Sequence, residues 1–580
     1  MLLTKYANQM PAVPLSEYPR PQFRRSSYVC LNGTWKCAFT NSSQLPKAFP
    51  IDILVPFSPE TPLSGVGRML GPREYLHYMR TFTLEPSFNR GRVLLHFGAV
   101  DQTAEVFVNG KSVAFHVGGY TPFSADITDA LCDGENTLCV TVQDFTDTQP
   151  FSRGKQKMKR GQIWYSPQSG IWQSVWLESV PVAYLQNVKI TPDYDGASVH
   201  FEVQSSDAAL EAEIVITDAS GAEVARGVTK AQKLTMPMGD FHAWSPEDPY
   251  LYRLHYTAGE DVVDSYFAMR KFSYGRDKMG IMRFFLNGKP YFLTGVLDQG
   301  YYPDGYLTPP SEKALENDVR IMKKMGFNML RKHIKIEPLS WYYYCDKYGM
   351  IVLQDMVNGG DAYGLEVSVL PFVGINLDDT NYKNFHREDA FGRQMYDQEL
   401  EETVDLLYNC PCIAVWVPFN EGWGQFDSVK YYEKLKAMDP TRLVDTASGW
   451  HDRGMSDFKS EHIYFTPIRV HNLSGSRPYL LSEFGGYSQK ISGHTFGNKM
   501  FGYKIFFSKS VLEKAFERLY SHVLLPQIKG GGLAGCVYTQ LSDVEDELNG
   551  LLTYDRKVLK IDPALVRAVN EKLKKELEDV

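Results

Sequence analysis

The stretch "CIAVWVPFNEGWG" (412–424) runs apolar as far as Val417 and then stops on Asn420 and Glu421, with Gly422, Trp423 and Gly424 directly behind. A continuous apolar run of this kind suits a strand covered on both faces, as in a parallel sheet. A chain that only needed to turn would use Asn-Gly or Asp-Gly. Here a carboxylate, an amide and a tryptophan share the strand end with two glycines that permit a sharp reversal. The preceding "QELEETVDLLYN" (398–409) reads as a helix that stops before Pro411.

The same alternation extends both ways. Upstream lie the apolar strands "YFLTGV" (291–296), "FNMLRKH" (327–333) and "MIVLQDM" (350–356). Downstream lie "RLVDTAS" (442–448), "EHIYF" (461–465), "PYLLSEFGG" (478–486) and "LAGCVYTQ" (533–540). Helical patterns separate most of them. In "SEKALENDVRIMKKMG" (311–326), Leu315, Val319 and Met322 share one face and Ser311 stands at the N-cap position. Eight such units in about 300 residues predict a C-terminal (β/α)8 TIM barrel over 275–580. The gap between the fifth and sixth strands is too short for a full helix, so that unit is expected to be irregular.

The N-terminal half reads differently. "GRVLLHFGAV" (91–100), "TAEVFVNGKSV" (103–113) and "ENTLCVTVQD" (135–144) are short β-rich runs, and Asn109-Gly110 marks a hairpin. Strands without helical periods over 1–180 predict a jelly-roll β-sandwich. Residues 181–274 alternate apolar and polar positions with frequent turn signals, the pattern of an immunoglobulin-like sandwich. The chain is therefore multidomain, and 580 residues are too many for one core.

Composition excludes several classes of function. A net charge of −8 calls for neither nucleic acid nor an anionic membrane surface. No apolar run is long enough for a signal peptide or a membrane span. The eight cysteines form no CxxC pair or His-flanked zinc pattern, so free thiols in a reducing, cytoplasmic setting are expected. The aromatic content of 13% is assigned mainly to β-domain cores, with sugar stacking as the other use.

In a barrel of this kind chemistry sits at the C-terminal ends of the strands. That test selects Glu421 on the fourth strand and Glu483 on the seventh. Two carboxylates across one pocket are what glycoside hydrolysis needs, one as acid/base and one as nucleophile. Trp423 would wall the pocket or stack on a sugar face. Asp298 and Asp355 end the first and third strands and are candidate ligand contacts. His333 is a candidate hydroxyl contact, although a lone histidine is more often structural. Tyr538, Gln540 and Asp543 end the eighth strand, with Tyr538 taken as a binding candidate. The acidic run "DVEDE" (543–547) reads as a solvated loop rather than a metal site, and the basic run "SRGKQKMKRG" (152–161) as solvated or folded over the barrel mouth. No metal site and no cofactor are expected.

With these residues in place the chain resembles glycoside hydrolase family 2 over nearly its whole length. The resemblance lies in "LNGTWKCAF" (31–39), "VFVNGKSVAFHVGGYTPFSADIT" (106–128), "SGIWQSVWLE" (169–178), "FFLNGKPYFLTGV" (284–296) and "DVRIMKKMGFNMLRKHIKIEP" (318–338). It implies that Asn420 and Glu421 form the family's Asn-Glu pair, with Glu421 as acid/base and Asn420 on the sugar 2-hydroxyl, and that Glu483 is the nucleophile. It further implies that Arg331 orients the nucleophile, a structural salt bridge being the alternative, and that Tyr464 stands near the nucleophile, a core role being the alternative.

Departures matter too. "LSEFGG" replaces the "CEY" type, and the Asn-x-Lys that the glucuronidase branch carries after strand eight is absent from "NGLLTYDRKVLK" (549–560). The expectation is a retaining, exo-acting glycosidase, galactosidase-like in its sugar, acting on a small oligosaccharide or glycoside. A sugar-binding protein on a decayed barrel and a transglycosylase are the rivals. Since family members are often oligomeric, a homo-oligomer stays open.

Overall fold

The computed structural model describes residues 2–578. Its C-terminal half is built on eight parallel strands: β1 (Leu293–Asp298), β2 (Met329–Lys332), β3 (Ile351–Asp355), β4 (Ile413–Val417), β5 (Leu443–Val444), β6 (Lys459–Ile463), β7 (Tyr479–Gly485) and β8 (Leu533–Thr539). The hydrogen-bonded order is β5-β4-β3-β2-β1-β8-β7-β6. The curl thus runs unbroken from β5 round to β6. At the remaining seam Ser460 Oγ donates to Asp445 at 2.7 Å. β1–β5, β7 and β8 are buried at every position, as their near-continuous apolar runs predicted.

Local rules explain the connections. Ser311 caps helix Glu312–Lys324 by accepting from Ala314 N, and Leu315, Val319 and Met322 are buried against the sheet. The link between β5 and β6 carries no helix, as its length required. β4 ends at Val417, and after Pro418 a separate two-stranded pairing, Phe419–Asn420 with Ala447–Ser448, continues toward the barrel mouth.

The first domain packs a six-stranded sheet on a four-stranded one, all neighbours antiparallel. Asn109 and Gly110 both take positive φ, +50° and +79°, the hairpin geometry that Asn-Gly encodes. The second domain packs a four-stranded sheet on a three-stranded one. Its core includes Phe23 from the N-terminal segment. Arg25 ties the domains together, donating to Asp261 in the second and Glu178 in the first. No two cysteines are bonded. Among the described residues no helix is long and apolar enough to cross a membrane.

One reading of the sequence is corrected here and a second is decided. The acidic run is not solvated: Asp543, Glu545, Asp546 and Glu547 are all buried. The basic run divides: Arg153, Lys155 and Gln156 are buried over the barrel mouth, the second of its two expected placements, while Lys157 and Arg160 are partly exposed and Lys159 is exposed. One explains the other. Arg160 pairs with Glu545 and Asp546, Ser166 N donates to Glu545, and the Tyr165 hydroxyl donates to Glu547 at 2.5 Å. Opposite charges on two domains satisfy each other, and a single-strand pattern cannot show such a partnership.

Candidate active site

The turn after β4 answers the question posed by Gly422 and Gly424. Trp423 N donates to Asn420 O at 2.9 Å, closing a tight turn. Its central residues, Glu421 and Gly422, have φ of +52° and +72°. A side chain on Gly422 would meet His451 at 2.6 Å, and one on Gly424 would meet the Gly359 carbonyl at 2.2 Å. Only Glu421 carries a side chain at such a φ within the turn, a strained state that a chain keeps where the side chain's direction matters.

Glu421 and Glu483 converge. One oxygen of each, with a ring nitrogen of His462, lie within 4.8 Å of one another. Glu421 is 7% exposed and Glu483 5%. Sheet irregularities aim them. The β6–β7 register slips between Glu461 and His462, setting His462 beside Glu483. The β7–β8 register slips between Leu481 and Phe484, freeing Ser482 and Glu483 from the ladder.

Arg331, fully buried at the end of β2, organises the floor. It donates Nε and Nη2 to Asp355 at 3.0 and 3.1 Å, Nη2 to Asn420 Oδ1 at 2.7 Å, and Nη1 to Glu483 Oε1 at 3.2 Å. Tyr464 donates its hydroxyl to the other oxygen of Glu483 at 2.5 Å. Burial alone would push the Glu483 carboxyl up, but the His462 ring, the Arg331 guanidinium and the Tyr464 hydroxyl outweigh it and hold it down at about 2. Glu421 goes the other way. Burial raises it, the charge of Glu483 adds to that, and the His462 hydrogen bond offsets them only in part. One acid stays ionised and its neighbour tends to stay protonated, the split that acid/base and nucleophile roles require. The pair titrates as a unit.

The other sequence candidates divide. Asp355 is brought in, but as the partner of Arg331 and His333, whose Nδ1 lies 2.7 Å away. Among the described residues the buried Asn420 amide nitrogen has no acceptor, as a group waiting for a ligand hydroxyl would be. Trp423 stands in an aromatic group with Trp164 and Tyr363, ring centroids 5.1 and 6.2 Å away. Two candidates are not brought to the pair. Asp298 is spent on the Lys332 ammonium (2.6 Å) and on Gly300 N. Tyr538 packs among Phe484 and Phe516 with its hydroxyl accepting from Tyr487 N, so it serves the core. Gln540 and Asp543 likewise bond inward, to Asn549 and Lys560.

Sequence reasoning missed three residues. His462 was passed over inside "EHIYF", although it stands two positions before Tyr464 on the same strand face. Trp164 and Lys155 come from the first domain. Lys155, 5% exposed, lies over the rings of Trp423 and Tyr165 at 5.4 and 5.6 Å. A cavity of about 370 Å³ lies at the junction of the β domains with the barrel's outer helices, lined by Arg20, Phe97, Trp176, Asn187 and Asn409. Its carboxylates, Glu402 and Asp405, lie on one helix, whereas an oxygen of Glu421 and one of Glu483 lie within 4.8 Å of each other, so that pair is the candidate site.

Among the described residues only Glu421, His462 and Glu483 have the spacing of a metal-binding group. Arg331 beside Glu483 opposes a cation there.

Comparison with known proteins bears on the family and the fold. Three family models match in order: glycosyl hydrolases family 2, sugar binding domain, over 68–181; glycosyl hydrolases family 2 over 183–270; and glycosyl hydrolases family 2, TIM barrel domain, over 279–558. A β-galactosidase of Priestia megaterium is 25% identical over 473 residues, covering 76% of this chain and 43% of that one. A β-glucuronidase of Bacteroides fragilis is 26% identical over 491 residues, covering 79% and 65%. The chain spans 41–45% of the length of the first three β-galactosidases it matches. Among solved structures, an uncultured Clostridium sp. β-glucuronidase superimposes with a TM-score of 0.74 at 19% identity, covering 97% of this chain and 100% of that one. A β-galacturonidase from Eisenbergiella tayi bound to galacturonate gives 0.71 at 19%, covering 96% and 99%. With the three models laid end to end over most of the sequence, the chain belongs to glycosyl hydrolases family 2.

Proposed function

We propose that the protein is a retaining, exo-acting glycoside hydrolase in which Glu483 is the nucleophile and Glu421 the acid/base. One observation carries this: an oxygen from each carboxyl lies within 4.8 Å of the other. Retaining enzymes hold the two groups about 5 to 5.5 Å apart, whereas inverting ones need about 6.5 to 9.5 Å to admit a water.

Glu483 attacks the anomeric carbon while Glu421 protonates the departing glycosidic oxygen. A glycosyl ester on Glu483 results. Glu421, now a carboxylate, then takes a proton from the water that attacks the same carbon, and the Glu483 ester bond breaks. Arg331 and Tyr464 keep Glu483 ionised for the first step. The unpartnered Asn420 amide nitrogen would hold the 2-hydroxyl, a contact that strengthens in the transition state.

The sugar is read as a terminal β-linked neutral one, galactosidase-like. The segment after β8 supports this: Asn549 is bonded to Gln540 and Glu547, and Lys560 to Asp543 and Leu548 O, so neither is free to grip a sugar acid. A second reading, a terminal uronic acid, rests on Lys155. The residue is 5% exposed, and no acceptor among the described residues lies within hydrogen-bonding distance of its ammonium. A panel of nitrophenyl β-glycosides that includes galactoside, glucoside, glucuronide and galacturonide decides between them. Inverted product configuration by NMR, or no turnover on any member, would sink the hydrolase reading.

A further inference from the structure

We infer that His462 is a positioning residue that fixes which oxygen of Glu421 carries the transferable proton. The inference rests on the reading of Glu421 as acid/base.

The ring makes contacts on both sides. Nδ1 is 2.8 Å from Glu421 Oε1 and 3.7 Å from Glu483 Oε2. Nε2 is 3.3 Å from Arg331 Nη1 and 3.3 Å from Ser448 Oγ. A guanidinium can only donate, and Arg331 is itself locked by Asp355 and Asn420. The nitrogen facing it therefore presents its lone pair. In the neutral ring the hydrogen then sits on Nδ1 and is donated to Glu421 Oε1.

The consequence falls on the carboxyl. In a carboxylic acid the oxygen that accepts such a bond is the carbonyl one, so the acid proton stands on Oε2. That oxygen has no partner among the described residues, which leaves it for the glycosidic oxygen. In the first step the Oε2 proton moves to the glycosidic oxygen. The bond from that oxygen to the anomeric carbon breaks, its electron pair stays on the leaving oxygen, and the carbon–Glu483 bond forms. In the second step Oε2 takes a proton from the attacking water. Oε1 remains bound to Nδ1 throughout.

The ring is held in this orientation by shape as well. Gly449, at φ +89°, lies against it: a side chain there would meet ring atoms of His462 at 2.5 Å. The register slip at Glu461/His462 brings the ring to this side of β6.

The test uses three variants and two leaving groups. His462→Asn keeps an amide N–H near the Nδ1 position, His462→Gln carries its amide at the Nε2 position, and His462→Leu has neither. With an alkyl β-glycoside, which needs full protonation, kcat/KM is expected to fall about 100-fold in the Leu and Gln variants and by under about tenfold in Asn. With a dinitrophenyl glycoside, all three are expected within about fivefold of the parent. An equal loss on both leaving groups, or an Asn variant no better than Gln, overturns the role; that second comparison stands if the Leu variant does not fold. Glu421→Ala is run alongside. If it shows the leaving-group dependence and the His462 variants do not, His462 alone is misassigned. If it lacks the dependence, the acid/base reading and this one fall together.

Discussion

Glu421 and Glu545 are alike in every local respect. Each follows the C-terminal end of a barrel strand, each is buried, and each has a left-handed backbone, φ +52° and +50°. Burial raises the carboxyl of both. They differ in their partners. Glu545 accepts from Ser166 N at 2.8 Å on one oxygen and from Arg160 at 3.2 Å on the other. Among the described residues the Glu421 carboxyl has one hydrogen-bond partner, His462 on Oε1, and faces a second carboxyl. A saturated carboxylate holds parts of a protein together, whereas a half-satisfied one beside a second acid has a proton to give. Glu545 also serves the site indirectly, because it fastens the first-domain loop that carries Lys155 and Trp164 to the mouth.

The comparison can be broken at its strong end first. Glu483→Ala is expected to cost at least about ten-thousandfold in kcat/KM with the fold intact by circular dichroism. Near-parental turnover across the glycoside panel would end the assignment. Glu421→Ala should lose about a hundredfold to ten-thousandfold on substrates with poor leaving groups and little on activated aryl ones. A uniform loss would deny it the acid role.

Glu545→Ala sharpens the contrast. It removes acceptors for Ser166 and Arg160 and is expected to lower unfolding stability by about 1–3 kcal/mol. Through the displaced loop it should raise KM more than it lowers kcat. Kinetics that match those of Glu421→Ala would erase the distinction. The smallest effect is expected from Tyr464→Phe. The lost hydrogen bond favours the ionised Glu483, which is held at about 2, so its removal lets the carboxyl rise. The acid limb of kcat/KM against pH then moves to higher pH, while the limb set by Glu421 stays near its place. A fixed acid limb would show that Tyr464 does not act on the nucleophile.

Much of this was legible before any coordinates. The family resemblance implied Asn420, Arg331 and Tyr464, while periodicity located the barrel strands and their C-terminal ends picked out Glu421 and Glu483; all five meet. The same rule misplaced Asp298 and Tyr538. A strand end names a height in the barrel, but not whether a side chain points to the mouth, to an ion partner such as Lys332, or outward into the helix layer as Tyr538 does. His462 escaped because a register slip, which has no sequence signature, turns it toward the pair. Trp164 escaped because it belongs to another domain, and Lys155 was flagged only as part of a loop able to reach the mouth, not as a residue.

The order of amino acids alone carried the three-part architecture, the strand ends and the candidacy of the two acids, because those follow from hydrophobic period and from residue types at fixed places along each element. Tertiary structure alone decided which acids keep an open oxygen, which cations are spent on them, and which ring sits between the reactive pair. Those outcomes depend on partners hundreds of positions away, 379 for Ser166 and Glu545, that meet only when separate domains close on one another.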